Sequence, residues 1–214
     1  MKVKLKHFPD KPWEQDPRYL PEWDASNNYS EEQKIDGWRM MLVITEDDIR
    51  FISRHDKDHT KDVEPEIQKA ALELRKHFTP QTQIDAEWLS RRSCSLEYRL
   101  PPKLFLLDIL RCNNEWLLAK TYAERHKIIE EVMPLLTNHD IIDMPPSAKP
   151  GEFVSFYEAQ KTIPFSEGVV IKHKNSKLVA SRTECAKNPL WFKVKYRGAS
   201  SDGEMRMDHL RSKL

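Results

Sequence analysis

Lys34, Asp36, Gly37 and Arg39 stand together in KIDGWR, between a polar segment and an apolar run. A lysine amine is nucleophilic only when unprotonated, and at an ordinary pKa of ~10.4 that is about one molecule in a thousand at neutral pH. A dry pocket or a neighbouring cation raises the fraction, each pKa unit being worth about 1.4 kcal/mol. Candidate cations come from LWFKVKY. Period-two geometry puts Lys193 and Lys195 on one strand face and turns Val194 into the packing. Such a pair can depress a third lysine or hold a phosphate; a lysine-guarded strand edge carries the same pattern. Carboxylates stand in complementary places. Glu87 shares a face with Asp85 in IDAEWL, and Glu167 precedes Gly168 at the mouth of an apolar strand. Asp108 ends the apolar run LFLL, where a carboxylate needs a partner. Against this stands the plainer reading of a charged turn, with Gly37 at positive φ, and of solvated glutamates.

The elements that must position these groups alternate in type. WRMMLVIT and IRFISR, joined at EDD, read as a hairpin. DVEPEIQKAALELRKHF carries Val63, Ile67, Ala70, Ala71, Leu74 and Phe78 at helical spacing, with Pro65 allowed in the first turn. TQIDAEWLS and KLFLLDIL follow as strands. TYAERHKIIEEVMPLL opens with the capping-box pair Thr121 and Glu124 and is kinked or ended by Pro134. A short helix near Glu152 to Lys161 and the strands GVVIK and LWFKVK complete the set. The fold class expected is α+β, one compact domain on antiparallel sheets flanked by helices. Residues 1–30, with Pro9, Pro12, Pro17 and Pro21, read as an extended lead-in without elements.

Composition narrows the class of function. Of 214 residues, 32% are charged and 39% hydrophobic, with a net charge of +1, the balance of a globular chain. No apolar stretch approaches bilayer length and MKVKLKHFPDKPW lacks the apolar core of a secretory signal, so an intracellular location is expected. Cys94, Cys112 and Cys185 form neither a disulfide framework nor a zinc knuckle. Charge is uneven: 12 Lys and Arg face 5 Asp and Glu from Lys161 to Leu214, against 23 and 29 before it. A basic C-terminal quarter suits phosphate or nucleic-acid contacts, and solvated lysines give the same count.

KIDGWR, FISRHDK, IDAEWL, FLLDIL, EGVVIK and WFKVK occur in this order over about Glu31 to Lys195. The order resembles the adenylation domain of ATP-dependent DNA ligases, in the superfamily that also holds RNA ligases and mRNA capping enzymes. The resemblance implies a nucleotidyltransferase (ATP-grasp-like ligase adenylation) domain over 31–195, followed by a basic polar tail, 196–214. It implies that Lys34 attacks the α-phosphate of ATP and carries AMP, that Arg39 reaches the ribose or phosphate region, and that Arg54 is the basic residue of the next motif. Glu87 resembles the ribose-binding carboxylate, Glu167 the acid associated with catalytic Mg²⁺, and Lys193 and Lys195 the pair on the α-phosphate. Glu32 sits where many DNA ligases keep a glutamate near adenine. ATP and Mg²⁺ are the implied cofactors, and nicked double-stranded DNA the implied partner, with RNA as the alternative. DNA repair, replication and recombination are the settings this implies.

Two departures accompany the resemblance. The position of the aromatic expected before Asp108 is held by Leu107: either Phe105, two residues earlier on the same strand face, stacks on adenine in its place or Leu107 packs on the ring, and Phe105 reads equally as a core residue. Nothing after Lys195 is long enough for the OB-fold of DNA ligases. A stand-alone domain, a fragment, a separate OB-fold-bearing subunit and an incomplete adenylate-binding module all stay open.

Overall fold

The computed structural model describes residues 5–89, 100–179 and 181–196. Cys94 and the tail from 197 to 214 lie outside the described residues. The chain runs through β1 (Lys11–Glu14), a 3-10 turn (Pro17–Tyr19), α1 (Leu20–Ser26), β2 (Tyr29–Ile35), β3 (Trp38–Ile44) and β4 (Ile49–Ser53). Next come α2 (Pro65–Ala71), prolonged as a 3-10 turn (Leu72–Lys76), then β5 (Gln83–Leu89), β6 (Lys103–Cys112) and β7 (Glu115–Trp116). The last elements are α3 (Tyr122–Val132), β8 (Ile142–Asp143), α4 (Phe153–Gln160), β9 (Ser166–His173) and β10 (Lys187–Lys195).

The N-terminal thirty residues are not an element-free lead-in. Pro12 lies in β1, an edge strand, where a missing N–H costs no ladder bond. Pro17 and Pro21 occupy first-turn positions, where the lost N–H would have had no helical partner. The prolines that read as breakers are therefore starters. Leu20 and Trp23 of α1 are buried, and Asn27, at φ 53°, stops the helix in the left-handed region.

The strands form two sheets. One has the order β1-β10-β9-β2; the other runs β4-β3-β5-β6-β7, with β8 beside β6. The pairing is antiparallel as expected, except that β1 meets β10 and β8 meets β6 in parallel. On β3, Met40, Leu42 and Ile44 enter a core closed by Ile67, Ala70, Ala71 and Leu74 of α2 and its extension. Met41 and Val43 point the other way, into a second cluster with Leu5, Phe8, Tyr122 and Trp191. Behind the first sheet, Val169, Ile171 and Val194 pack on Leu20 and Trp23 of α1 and Phe153 and Tyr157 of α4. The α3 capping box forms as read, Thr121 accepting from the Glu124 N–H. Asp108 finds its partner on this helix. Arg125 donates Nε and Nη2 to its two oxygens at 2.9 and 2.8 Å, in a fully buried pair.

Only Asp36 and Gly37 separate β2 from β3, so the chain passes from one sheet to the other in two residues. Gly37 does not have the positive φ expected of it; Gly151 and Gly168 do. Its requirement is proximity, since a Cβ there would lie 2.7 Å from the Trp88 carbonyl oxygen on β5. The crossover places Lys34 at the end of the first sheet and Arg39 at the start of the second.

Candidate active site

Between the sheets lies a cleft of about 850 Å³, lined from β2, β3, β5, β9 and β10. Gly168 on the central strand β9 is opposite both Lys34 of β2 and Lys195 of β10. A side chain at this point has no room, because a Cβ would lie 2.0 Å from the Val194 carbonyl oxygen. Its φ of +146°, with the register slip between Lys34 and Ile35, re-aims the strand mouth so that Glu167 reaches both lysines. Lys34 Nζ donates to Glu167 Oε1, and Lys195 Nζ to Oε2 at 2.9 Å. Burial alone would raise the Glu167 pKa, but the two ammoniums outweigh it and hold the carboxyl below its usual range.

This corrects the expected geometry around Lys34. The group against its amine is a carboxylate shared with Lys195, rather than a second cation. Lys193 shares the cleft-facing side of β10 with Lys195, with Val194 buried between them as read, but it pairs with Glu14 of β1 at 3.1 Å.

The opposite wall comes from β3 and β5. Arg39 is cross-strand from Glu87 and reaches diagonally to Asp85, donating Nε at 3.0 Å and Nη2 at 2.6 Å. Glu87 is pushed up to about 7 by burial, against the pull of Lys34 and Arg39. Arg54, just beyond β4, stands at the exposed rim and donates to His55 at 3.2 Å. Deeper in the cleft, Glu32 is buried and accepts from Tyr122 Oη and from Lys172 Nζ, the latter at 2.9 Å. Lys172 also donates to the Leu107 carbonyl at 3.2 Å and lies over the rings of Tyr122 and Trp191.

Phe105 does not reach the cleft. It packs with Ile35 and Leu89 and stacks on Phe165 at 6.1 Å, while Leu107 lines the cleft. Phe105 shares a face of β6 with Leu107 but lies nearer the start of the strand, where Ile35, Leu89 and Phe165 cover it. Asp85 pairs with Asp108 and Ala86 with Leu106, which leaves Leu107 as the extra residue, turned to the site.

The cleft thus collects Glu32, Lys34, Arg39, Arg54, Glu87, Glu167, Lys193 and Lys195, and leaves out Phe105. Asp10, Lys172, Tyr122 and Trp191 escaped the sequence reading as site residues. Lys172 carried a signal, being a lysine at the end of the apolar strand EGVVIK; Asp10 carried none. No group of three or more His, Cys, Asp and Glu able to hold a metal occurs among the described residues. No helix among them is long and apolar enough to cross a membrane.

The family model for RNA ligase matches residues 27–195. No match is found among curated proteins. Among solved structures, a mycobacterial DNA ligase D complexed with ATP and MES is 18% identical, over 89% of this chain and 60% of that one, with a TM-score of 0.68. The ATP-dependent DNA ligase of bacteriophage T7 complexed with ATP is 14% identical over 87% of this chain and 68% of its own, with a TM-score of 0.56. A variant RNA ligase of Naegleria gruberi with AMP and Mn is 14% identical over 92% and 60%, with a TM-score of 0.51. At such identities the likeness is one of fold, and the chain spans 60% of the length of the mycobacterial structure. The profile match covers most of the chain and the fold agrees with it: the chain belongs to the RNA ligase family and is a ligase domain of the nucleotidyltransferase type.

Proposed function

We propose that the chain is the catalytic core of an ATP-dependent polynucleotide ligase that carries AMP on Lys34 and joins a 5′-phosphate to a neighbouring 3′-hydroxyl in nicked duplex DNA. The observation that carries this reading is the grouping of Lys34, Glu167 and Lys195 at one end of a cleft whose other wall presents Arg39 and Glu87. Adenylyl transfer needs a positioned nucleophile and charge neutralisation rather than elaborate covalent chemistry, and those are the parts present.

In the first step Lys34 Nζ attacks the α-phosphorus of ATP. The N–P bond forms, the bond to the bridging oxygen breaks, and pyrophosphate leaves with the electron pair. While the Lys34 ammonium donates to Glu167 its lone pair is unavailable, so the proton leaves along that contact to the carboxylate and on to solvent. Lys195 exchanges Glu167 for the α-phosphate, and Lys193 leaves the exposed Glu14 for the same oxygens. In the second step the 5′-phosphate oxygen attacks the same phosphorus and the N–P bond breaks, leaving the strand end adenylated. In the third the 3′-hydroxyl displaces AMP. Glu167 is the cleft carboxylate that would take Mg²⁺, with water and phosphate oxygens completing a shell of the hard oxygen donors this ion prefers. When bound, it supplies charge neutralisation on the triphosphate.

The DNA assignment is supported by the order KIDGWR, EGVVIK and WFKVK, which resembles that of DNA ligases. Joining of RNA ends is the second reading, favoured by the description of the matching family. Incubation with α-labelled ATP and Mg²⁺, followed by a denaturing gel and a nicked-duplex assay with DNA and RNA strands, tests the scheme. Label on the protein, reversed by pyrophosphate, and sealing of DNA are expected. Bound ATP without label would instead indicate an adenylate-binding module, and sealing of RNA alone would move the substrate.

A further inference from the structure

We propose that Asp10 is a positioning residue for Arg39, clasping the N-terminal segment to the first sheet so that the guanidinium is aimed into the cleft; this rests on the adenylation reading above. Arg39 spends Nε and Nη2 on Asp85, and Nη2 also donates to the backbone carbonyl of Asp10 at 2.5 Å. Among the described residues nothing accepts from Nη1, which is therefore the nitrogen left for substrate. Asp85 grips one edge of the guanidinium from a neighbouring strand, and the Asp10 carbonyl sets the other contact of Nη2.

That carbonyl is itself held in place. The Asp10 side chain is fully buried, and its Oδ2 accepts from the Val179 N–H at 2.8 Å and from Asn188 Nδ2 at 2.7 Å. Asn188, 1% exposed, also donates to the Lys177 carbonyl at 2.8 Å and accepts from the Leu190 N–H at 3.0 Å. One carboxyl thus ties the segment before β1 to the loop after β9 and to the start of β10. Leu5 and Phe8 seal the segment onto Trp191 and Tyr122 below the cleft. A buried carboxylate with no cation bonded to it is a costly anchor, and a solvated loop would need none. Burial pushes the Asp10 carboxyl up, its Oδ1 is buried without a partner among the described residues, and the clasp is made by the hydrogen bonds to Oδ2.

The test uses the full chain and measures the single-turnover rate of protein labelling and its ATP dependence for Asp10→Ala, Asp10→Asn, Arg39→Ala and the Asp10→Ala/Arg39→Ala double variant, each with its melting temperature. Misplacing a reacting group by about 1 Å costs on the order of 100-fold, so Asp10→Ala is expected to lose about 10- to 100-fold. Asp10→Asn restores most of that loss, because its Nδ2 can take the place of the unpartnered Oδ1. In the Arg39→Ala background Asp10→Ala costs little more, the non-additivity expected of groups acting as one. Additive losses, or labelling by Asp10→Ala at the unaltered rate, overturn the positioning role while leaving the adenylation reading intact. An unaltered protein that never labels overturns both. If Asp10→Ala does not fold, Asn188→Ala opens the clasp from the other side and enters the same cycle with Arg39→Ala.

Discussion

At the scale of single residues, the site is a set of charges that neutralise one another until substrate arrives. Glu167 holds Lys34 and Lys195, Glu14 holds Lys193, and Asp85 holds Arg39. On the proposed function a triphosphate would compete with these carboxylates for the same cations, which makes each pair a resting contact. Lys195, paired deep in the cleft, is expected to matter most among the supporting cations: Lys195→Ala should slow labelling about 10²- to 10³-fold, as loss of a charge-stabilising donor does elsewhere. Lys193→Ala should cost less in the same rapid-quench measurement. Glu87 predicts a pH effect on stability. Its carboxyl rises from 4.5 to about 7 in the folded protein, mainly through burial. The folded state therefore holds a proton that the unfolded state has lost, and stability falls as pH climbs through that window and levels off above it. Glu87→Gln removes the slope. Its advantage over the unaltered protein should be absent near pH 4.5 and grow to the order of a few kcal/mol by pH 8, read from urea unfolding at each pH.

At the scale of elements, two glycines allow strands to come closer than side chains permit. Gly37→Ala puts a methyl 2.7 Å from a backbone oxygen of β5 and should cost roughly 1–3 kcal/mol. Gly168→Ala meets a backbone oxygen at 2.0 Å and also strains φ, so a loss above about 4 kcal/mol, or failure to fold, is expected. Denaturant titration checks the order of the two. Equal stabilities would contradict the close approach drawn here. What was legible in the sequence was local. The 3.6 periodicity of α2, the capping box of α3, the β3–β4 hairpin and the alternation that puts Lys193 and Lys195 on one face all stand in the structure. What was hidden needs a partner distant in sequence. Gly37 looks like any turn glycine until Trp88 is placed against it, and Phe105 looks available until Ile35, Leu89 and Phe165 cover it. Arg125, within the polar run ERHK of its helix, is a buried partner of Asp108, 17 residues away. The N-terminal strand and helix were obscured because proline in a first turn has the same composition as a loop.

At the scale of the whole molecule, two sheets of different composition meet at a two-residue crossover, and the cleft between them is cationic. Among the described residues nine Lys and Arg line it against five Asp and Glu, although the chain as a whole is near neutral. Binding of a nicked duplex should therefore weaken steeply with salt, the logarithm of affinity falling linearly with that of salt concentration as counterions are released. Fluorescence anisotropy between about 50 and 200 mM salt measures the slope, and a flat response would contradict a phosphate-directed surface. Capture of AMP by Lys34, however, is a covalent event that needs no nucleic acid. Intact-mass spectrometry of the protein after ATP and Mg²⁺ should show the gain of one adenylyl group, removed by pyrophosphate and missing in Lys34→Ala. An unaltered mass under those conditions, or an adduct that survives the loss of Lys34, would contradict the account.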